Sequence, residues 1–377
     1  MHLPRSRRRI VDPEGIETTI AYNLLGNITS KTTKPKPGSA EPVVTETLDF
    51  KVAGCDGVVF DISCYRPNWH RDGLGRQTDF VYNTLGQLST RTDPADADNV
   101  RKKTIITWAP TGISRMTAVQ VCGDTAQLCN TPDEIKTTYS HWGNTLLPAT
   151  LNQIDAARGE TLTTTHTYYP SGRLWVADGP MAGTNDASYF HYDQYGRQAW
   201  SIGPADTNAR RQAKYTEYRD ADDQVKFVDV GNVTSVTMPV LAALTRTQTE
   251  YDGRRNPKEE RVLSAGTTYT LTQRSFDDRG RLTCEARRMN SAAFSSLPSD
   301  ACALGIPGSF GDDRITRNVY DNGSQLLQVQ RAYGTSLQQN YATYTYSLNG
   351  KQKTVKDANG NLTTYEYDGL DRMSKML

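Results

Sequence analysis

Chemistry in this chain would start from its cysteine, histidine and carboxylate side chains, and their spacing decides which kind. Six cysteines fall in three local pairs: Cys55 with Cys64, Cys122 with Cys129, and Cys284 with Cys302. A zinc site needs tighter clustering, such as two CxxC knuckles, and the sequence has none. Oxidation to disulfides is the chemistry this spacing fits, although sequence alone does not fix the connectivity. The five histidines, His2, His70, His141, His166 and His191, are scattered. His191 precedes a tyrosine and His141 sits inside a turn signal, so strand and turn roles outweigh those of ligand or base. There is no Walker A loop, no His-Glu-x-x-His and no Gly-x-Ser-x-Gly. The stretch from Gly73 to Arg76 lacks the third glycine of a dinucleotide loop and reads as another turn. No residue is assigned a catalytic, cofactor-binding or metal-binding role.

The carboxylates are numerous but not random. Asp193, Asp252, Asp277 and Asp321 each follow an aromatic residue and open a four-residue segment. An aspartate or asparagine at the first position and glycine at the fourth suit a type I turn. The side chain accepts turn N–H groups, and glycine takes the positive φ that closes the loop. The clearest copies are Asp12 with Gly15, Asn23 with Gly26, Asn83 with Gly86, Asp193 with Gly196, Asp277 with Gly280, and Asp357 with Gly360. Recurrence at a turn position is explained by turn chemistry and calls for no catalytic role.

Alternating segments connect these turns. In "DANGNLTTYEYDGLDRMSKML", residues 357 to 377, Thr363, Tyr365 and Tyr367 share one face of a strand between two turn signals. In "DPEGIETTIAYNLLGN", residues 12 to 27, Thr18, Ile20 and Tyr22 match them. Further copies are "YNTLGQL" at Tyr82, "YDQYGRQ" at Tyr192, "FDDRGRL" at Phe276 and "YSLNGKQ" at Tyr346. Looser ones begin at Trp108, Tyr139 and Tyr168. Those at Tyr218, Tyr251 and Tyr320 lack glycine at the usual place. Successive aromatics are mostly roughly 21 to 33 residues apart, a repeat-architecture period. The longer interval from Phe276 to Tyr320 must hold an insertion.

The pattern Tyr-Asp-x-x-Gly-Arg-Leu, paired with Asp-x-x-Gly-Asn-x-Thr-Thr-Tyr, resembles the YD repeat of the RHS family from about Val11 to Leu377. The resemblance implies an all-β fold: antiparallel hairpins in a continuous sheet that spirals into a partial hollow shell. Family members include bacterial polymorphic toxins, a component of insecticidal toxin complexes, wall-associated bacterial proteins and the animal teneurins. In the bacterial toxins the shell encloses a variable C-terminal toxic domain, and an aspartyl-protease-like motif ends the repeat region. Here the "DPEG" at Asp12 lies at the wrong end for that motif and fits a repeat turn.

Composition agrees independently. Twenty tyrosines stand against eight phenylalanines and five tryptophans, and only 36% of residues are hydrophobic. Tyrosine suits a sheet face that is neither dry nor fully wet, and threonine beside it favours strands. The one helix candidate, "PVLAALTRTQ" from Pro239, reads equally well as a strand. Forty-three basic residues balance 42 acidic ones for a net charge of +1, which points to neither nucleic acid nor an anionic membrane. No apolar run has membrane-spanning length, and no apolar h-region follows the basic start.

The expected organisation is a disordered basic N-terminus over residues 1–10 and a single repeat segment over 11–377, with inserted loops near 31–70, 120–132 and 283–314. Each cysteine pair sits in one of these interruptions, where a disulfide would clip a protruding loop and imply an oxidising compartment. The last strand, from Arg372, is expected to be an exposed or frayed edge of a longer array. Two functions follow from the resemblance. One is a non-enzymatic shell segment that, with the rest of the shell, encapsulates the toxic domain of a secreted bacterial polymorphic toxin. The other is a cell-surface repeat protein that binds glycans or neighbouring cells. Neither needs a cofactor.

Overall fold

The computed structural model describes residues 7–51, 55, 62–110, 112–122, 134–155 and 157–377. Among them are 27 β-strands, two short 3-10 turns at Ile62–Tyr65 and Ser291–Ala293, and no α-helix. The Pro239 segment is a strand, Ala242–Tyr251, preceded by irregular chain. The chain divides into two units, Met1–Pro180 with Tyr367–Arg372, and Met181–Glu366 with Met373–Leu377.

Each unit is an antiparallel meander in which strands pair with their neighbours in sequence. In the first, Glu17–Tyr22 pairs with Ile28–Lys34, and that strand pairs with Val44–Phe50. In the second, Gln198–Ala205, Arg211–Tyr218, Val225–Val233 and Ala242–Tyr251 follow one another across the sheet. Threonine and aromatic side chains explain why these segments are strands. Opposed hydroxyls meet at 2.7 Å between Thr345 and Thr354 and between Ser140 and Thr150. Rings pack across strands at 4.8 Å for Trp200 and Tyr215 and 6.1 Å for Tyr215 and Phe227. Such cross-strand pairs are the unit of sheet stability. Most strand residues are half-buried on both faces, as in Glu17–Tyr22 and Leu174–Asp178.

The register slips by one residue at the repeat aromatic of almost every hairpin, at Tyr22, Tyr82, Trp108, Tyr168, Tyr192, Tyr218, Tyr251, Phe276, Tyr320 and Tyr346. These are β-bulges next to the turns, and bulges raise the local right-handed twist.

A buried cluster lies under the insertion between Arg288 and Arg314. Cys284, Ala286, Ala301 and Ile315 form it, with Cys302 and Tyr333 against it. Arg288 is bolted into it. Its guanidinium meets Asp313 at 2.6 Å, donates twice to the Gln273 side chain and once to the Ala303 carbonyl. The Asp313 carboxylate accepts from the N–H groups of Met289 and Gly305. Burial pushes the Asp313 carboxyl up, but these donors more than offset it and hold it below the usual carboxylate range.

Two boundaries differ from the sequence expectation. The strand Arg7–Val11 begins inside the stretch for which disorder is expected, because Arg7–Ile10 find backbone partners in Thr18–Ala21. Likewise the stretch 31–70 is only partly loop, since it contains the strand Val44–Phe50 and the start of Pro67–Arg71. The strand Met373–Met376 is exposed along its length, and Leu377 exchanges backbone hydrogen bonds with Thr364.

Candidate functional site: the ladder of repeat turns

The recurring residues build one structure many times. At Asp193 the backbone N–H bonds to the Arg197 carbonyl, and Gly196 N–H returns to the Asp193 carbonyl. Asp193 Oδ1 accepts from the N–H groups of Tyr195 and Arg197, both at 2.9 Å, and Oδ2 takes the Arg197 Nε at 2.6 Å. Gly196 has φ 82°. The same bonds recur at Asp277 with Gly280 and Arg281. At Asp357 with Gly360, Asn361 replaces the arginine. Asp12, Asn23 and Asn83 each accept two turn N–H groups in the same way, with Gly15, Gly26 and Gly86 at positive φ.

These donors hold the Asp193, Asp277 and Asp357 carboxyls below the usual carboxylate range. For Asp277 the largest cause is the Arg281 backbone N–H, and for Asp357 it is the Asn361 side chain. At Asp193 burial pushes upward, but the Arg197 side chain and two backbone N–H groups outweigh it.

Where glycine is missing, the turn persists. Asp223, Arg255 and Ser324 occupy the left-handed position with φ of 59°, 69° and 68°. Gly73–Arg76 is likewise a turn, anchored by Asp72.

The aromatic residue links one hairpin to the one before it. The hydroxyls of Tyr168, Tyr218, Tyr251, Tyr320 and Tyr346 donate to the carbonyls of Pro148, Gln198, Val225, Leu282 and Leu326. Trp108 does the same through Nε1 to Leu88. Each acceptor stands at the start of the returning strand of the preceding hairpin. The turn arginine of that hairpin lies over the same ring: Arg197 over Tyr218 and Arg281 over Tyr320, each at 4.8 Å. Arg281 also donates to the Asp321 carbonyl at 2.8 Å, and Arg197 pairs with Asp220 and Asp223. A row of turns is thereby stapled along one sheet edge.

A serine or threonine at the bulge completes the unit. Ser89, Thr117 and Thr283 donate their hydroxyls to the carbonyls of Val81, Thr107 and Ser275. The signal that could have found Ser89 and Thr283 is a hydroxyl residue three positions after the turn glycine.

One cysteine touches this row of turns: the Cys64 carbonyl accepts from Asn27 Nδ2, next to Gly26, at 2.8 Å. Cys55 and Cys64 are bonded with Cα atoms 5.6 Å apart, and Cys284 and Cys302 with Cα atoms 5.2 Å apart, within disulfide geometry. Cys122 is fully buried at the end of Met116–Cys122, and Cys129 lies outside the described residues. Among the described residues, His70 lies 3.7 Å from Glu46, while His191 bonds to the Val236 carbonyl. Among the described residues no group of three or more histidine, cysteine or acidic side chains is placed to hold a metal ion.

Residues 346–377 match the family model described as RHS Repeat. The chain carries an RHS repeat. The matched stretch contains the Tyr346 staple and the turn at Asp357, so the turn-and-staple geometry described here includes that of an RHS repeat. No curated protein matches the sequence. Among solved structures, the chain is similar at 12% identity to TcdB2-TccC3 without its hypervariable C-terminal region, with a TM-score of 0.42 over 98% of this chain and 21% of that one. It is similar at 11% identity to the Photorhabdus luminescens Tc holotoxin pore, with a TM-score of 0.33 over 97% of this chain and 23% of that one. The chain thus spans less than a quarter of the length of these structures.

Proposed function

We propose that this chain is a non-enzymatic wall segment of an RHS shell, which helps to enclose the C-terminal toxic domain of a secreted bacterial polymorphic toxin. The carrying observation is that the repeat residues are consumed in holding hairpin to hairpin. The tyrosine hydroxyls are bonded to carbonyls, the turn aspartates to N–H groups and arginines, and the turn arginines to the next turn. The Tyr218 and Tyr320 rings also carry an arginine over one face, which blocks sugar stacking there and favours the wall over a glycan-binding surface. Strands half-buried on both faces suit a wall. Its partners are then the remainder of the same shell and the enclosed domain. The bonded cysteines suit an exported protein. No helix among the described residues is long and apolar enough to cross a membrane.

The test is protease protection in the complete reading frame that contains these residues. The reading predicts that a C-terminal domain resists digestion while the repeats are folded and is cut once they are unfolded by denaturant. A C-terminal domain digested as fast in the folded protein as when expressed alone contradicts it.

A further inference from the structure

Three arginines on one face of the second unit have no counter-charge. Arg287 and Arg314 stand directly opposite each other on Leu282–Arg288 and Arg314–Tyr320. Arg331 stands opposite Thr316, which places it diagonally from Arg314 on the same face. All three are exposed, and among the described residues none of them forms an ion pair. Several other arginines of this unit are matched with carboxylates, Arg197 with Asp193, Arg246 with Asp229 and Arg274 with Glu285, and Arg211, Arg279 and Arg317 are held by carbonyls or a tyrosine hydroxyl. Glu285, which stands opposite Thr316 on the same face, is already held by Arg274 at 2.8 Å. Like charges directly opposite each other destabilise a sheet, so the trio is a cost that folding alone does not explain. The insertion covers the other face, where Cys284, Ala286, Arg288 and Ile315 point.

A cleft of about 390 Å³ opens beside the trio, lined by Arg314, Thr316 and Arg331, with Leu337 and two carboxylates, Asp312 and Asp313, among its walls; Asp313 is the one already held by Arg288. Leu337 is 78% exposed, and Tyr341, 41% exposed, stacks beneath Arg331 at 3.4 Å. Cationic forks therefore sit next to bare apolar surface.

We propose that this face binds an acidic peptide segment carrying aliphatic side chains. Guanidinium forks take carboxylates bidentately. Carboxylates two residues apart on an extended peptide lie roughly 6.5–7 Å apart, close to the roughly 7–8 Å between diagonal cross-strand positions such as Arg314 and Arg331. Leu337 and the cleft would take an aliphatic residue two positions further on, on the same face of the extended peptide as the two carboxylates. Nucleic acid and sulfated glycans fit less well, because the charge is confined to three side chains in a chain of net charge +1 and its border is apolar.

The test uses the full chain and a fluorescent peptide with glutamates two residues apart and a leucine two residues beyond them, followed by anisotropy at low salt. The expected result is saturable binding that weakens with salt and falls by about tenfold or more when Arg287, Arg314 and Arg331 are all replaced by glutamine. Arg314→Lys keeps the charge but not the fork and should lose part of the affinity. The triple variant should melt no lower than the wild type, since repulsion has been removed. Three results overturn the proposal: unchanged binding in the triple variant, a heparin oligosaccharide binding more tightly than the peptide, or a triple variant that melts lower and so reveals a structural role.

Discussion

The hydroxyl of Tyr320 donates to the backbone carbonyl of Leu282 at 3.0 Å, although the two are 38 residues apart in sequence. Leu282 opens the returning strand of the hairpin that turns at Asp277. Arg281, from that turn, lies over the Tyr320 ring and donates to the Asp321 carbonyl. One aromatic residue and one arginine therefore lock two hairpins together across the inserted loop.

Removing the hydroxyl isolates the hydrogen bond from the stacking. Tyr320→Phe should lower stability by about 0.5–1.5 kcal/mol. Tyr320→Ala should cost more, because the ring under Arg281 goes as well. Urea unfolding of both variants reads the difference. Equal stability for Tyr320→Phe and wild type would remove the staple from the account.

The turn positions separate backbone strain from crowding. A Cβ at Gly26 meets nothing within 4 Å, so Gly26→Ala carries only the left-handed penalty of about 1–2 kcal/mol. A Cβ at Gly86 would lie 2.4 Å from Ile62 Cγ2, so Gly86→Ala should be the worse variant. Arg255→Gly should instead stabilise by up to about 1 kcal/mol, the relieved strain less the entropy of glycine in the unfolded chain. Thermal melts that rank the three otherwise would count against the turn assignment.

Acid should unfold the sheet through its turns. Asp72, Asp193, Asp206, Asp252, Asp277, Asp357 and Asp368 are all depressed in the folded state. A depressed carboxyl contributes stability that is fully present above its unfolded value, about 3.9, and is lost as pH falls through the lower folded value. Stability from this source should thus be flat from neutral pH down to about 5 and fall steeply below about 4. Denaturant midpoints measured across that range check the sign.

The insertion has two anchors that can be cut separately. Replacing Cys284 and Cys302, which close a separation of 18 residues, by serine should cost about 3 kcal/mol. Asp313→Asn strands the buried Arg288 guanidinium and should cost about 3–5 kcal/mol. Proteolysis between residues 289 and 313 should speed up in both variants before the rest of the sheet is cut.

The turns were legible because their chemistry is local: an acceptor at Asp193 and a positive φ at Gly196 act within five residues. Arg255 and Ser324 looked like broken copies, yet the Asp252 and Asp321 side chains still accept turn N–H groups and hold the conformation without glycine. The tyrosine staple was not legible, because which carbonyl Tyr320 reaches depends on the register of strands an insertion apart. Nor was the Arg288–Asp313 pair, since neither residue has a local signature. The bulge hydroxyls at Ser89 and Thr283 were in plain view but carry meaning only once the slip in register at the aromatic is known.

The most direct measurement of the central claim, that repeat residues join successive hairpins, is a double-mutant cycle on Arg281→Ala and Tyr320→Phe, with Tyr320→Ala as a second arm. The account predicts that the two residues are coupled by about 0.5–2 kcal/mol, greatest in the alanine arm, which removes the ring that Arg281 covers. Strictly additive effects in both arms would mean that each residue serves its own hairpin alone, and would contradict it.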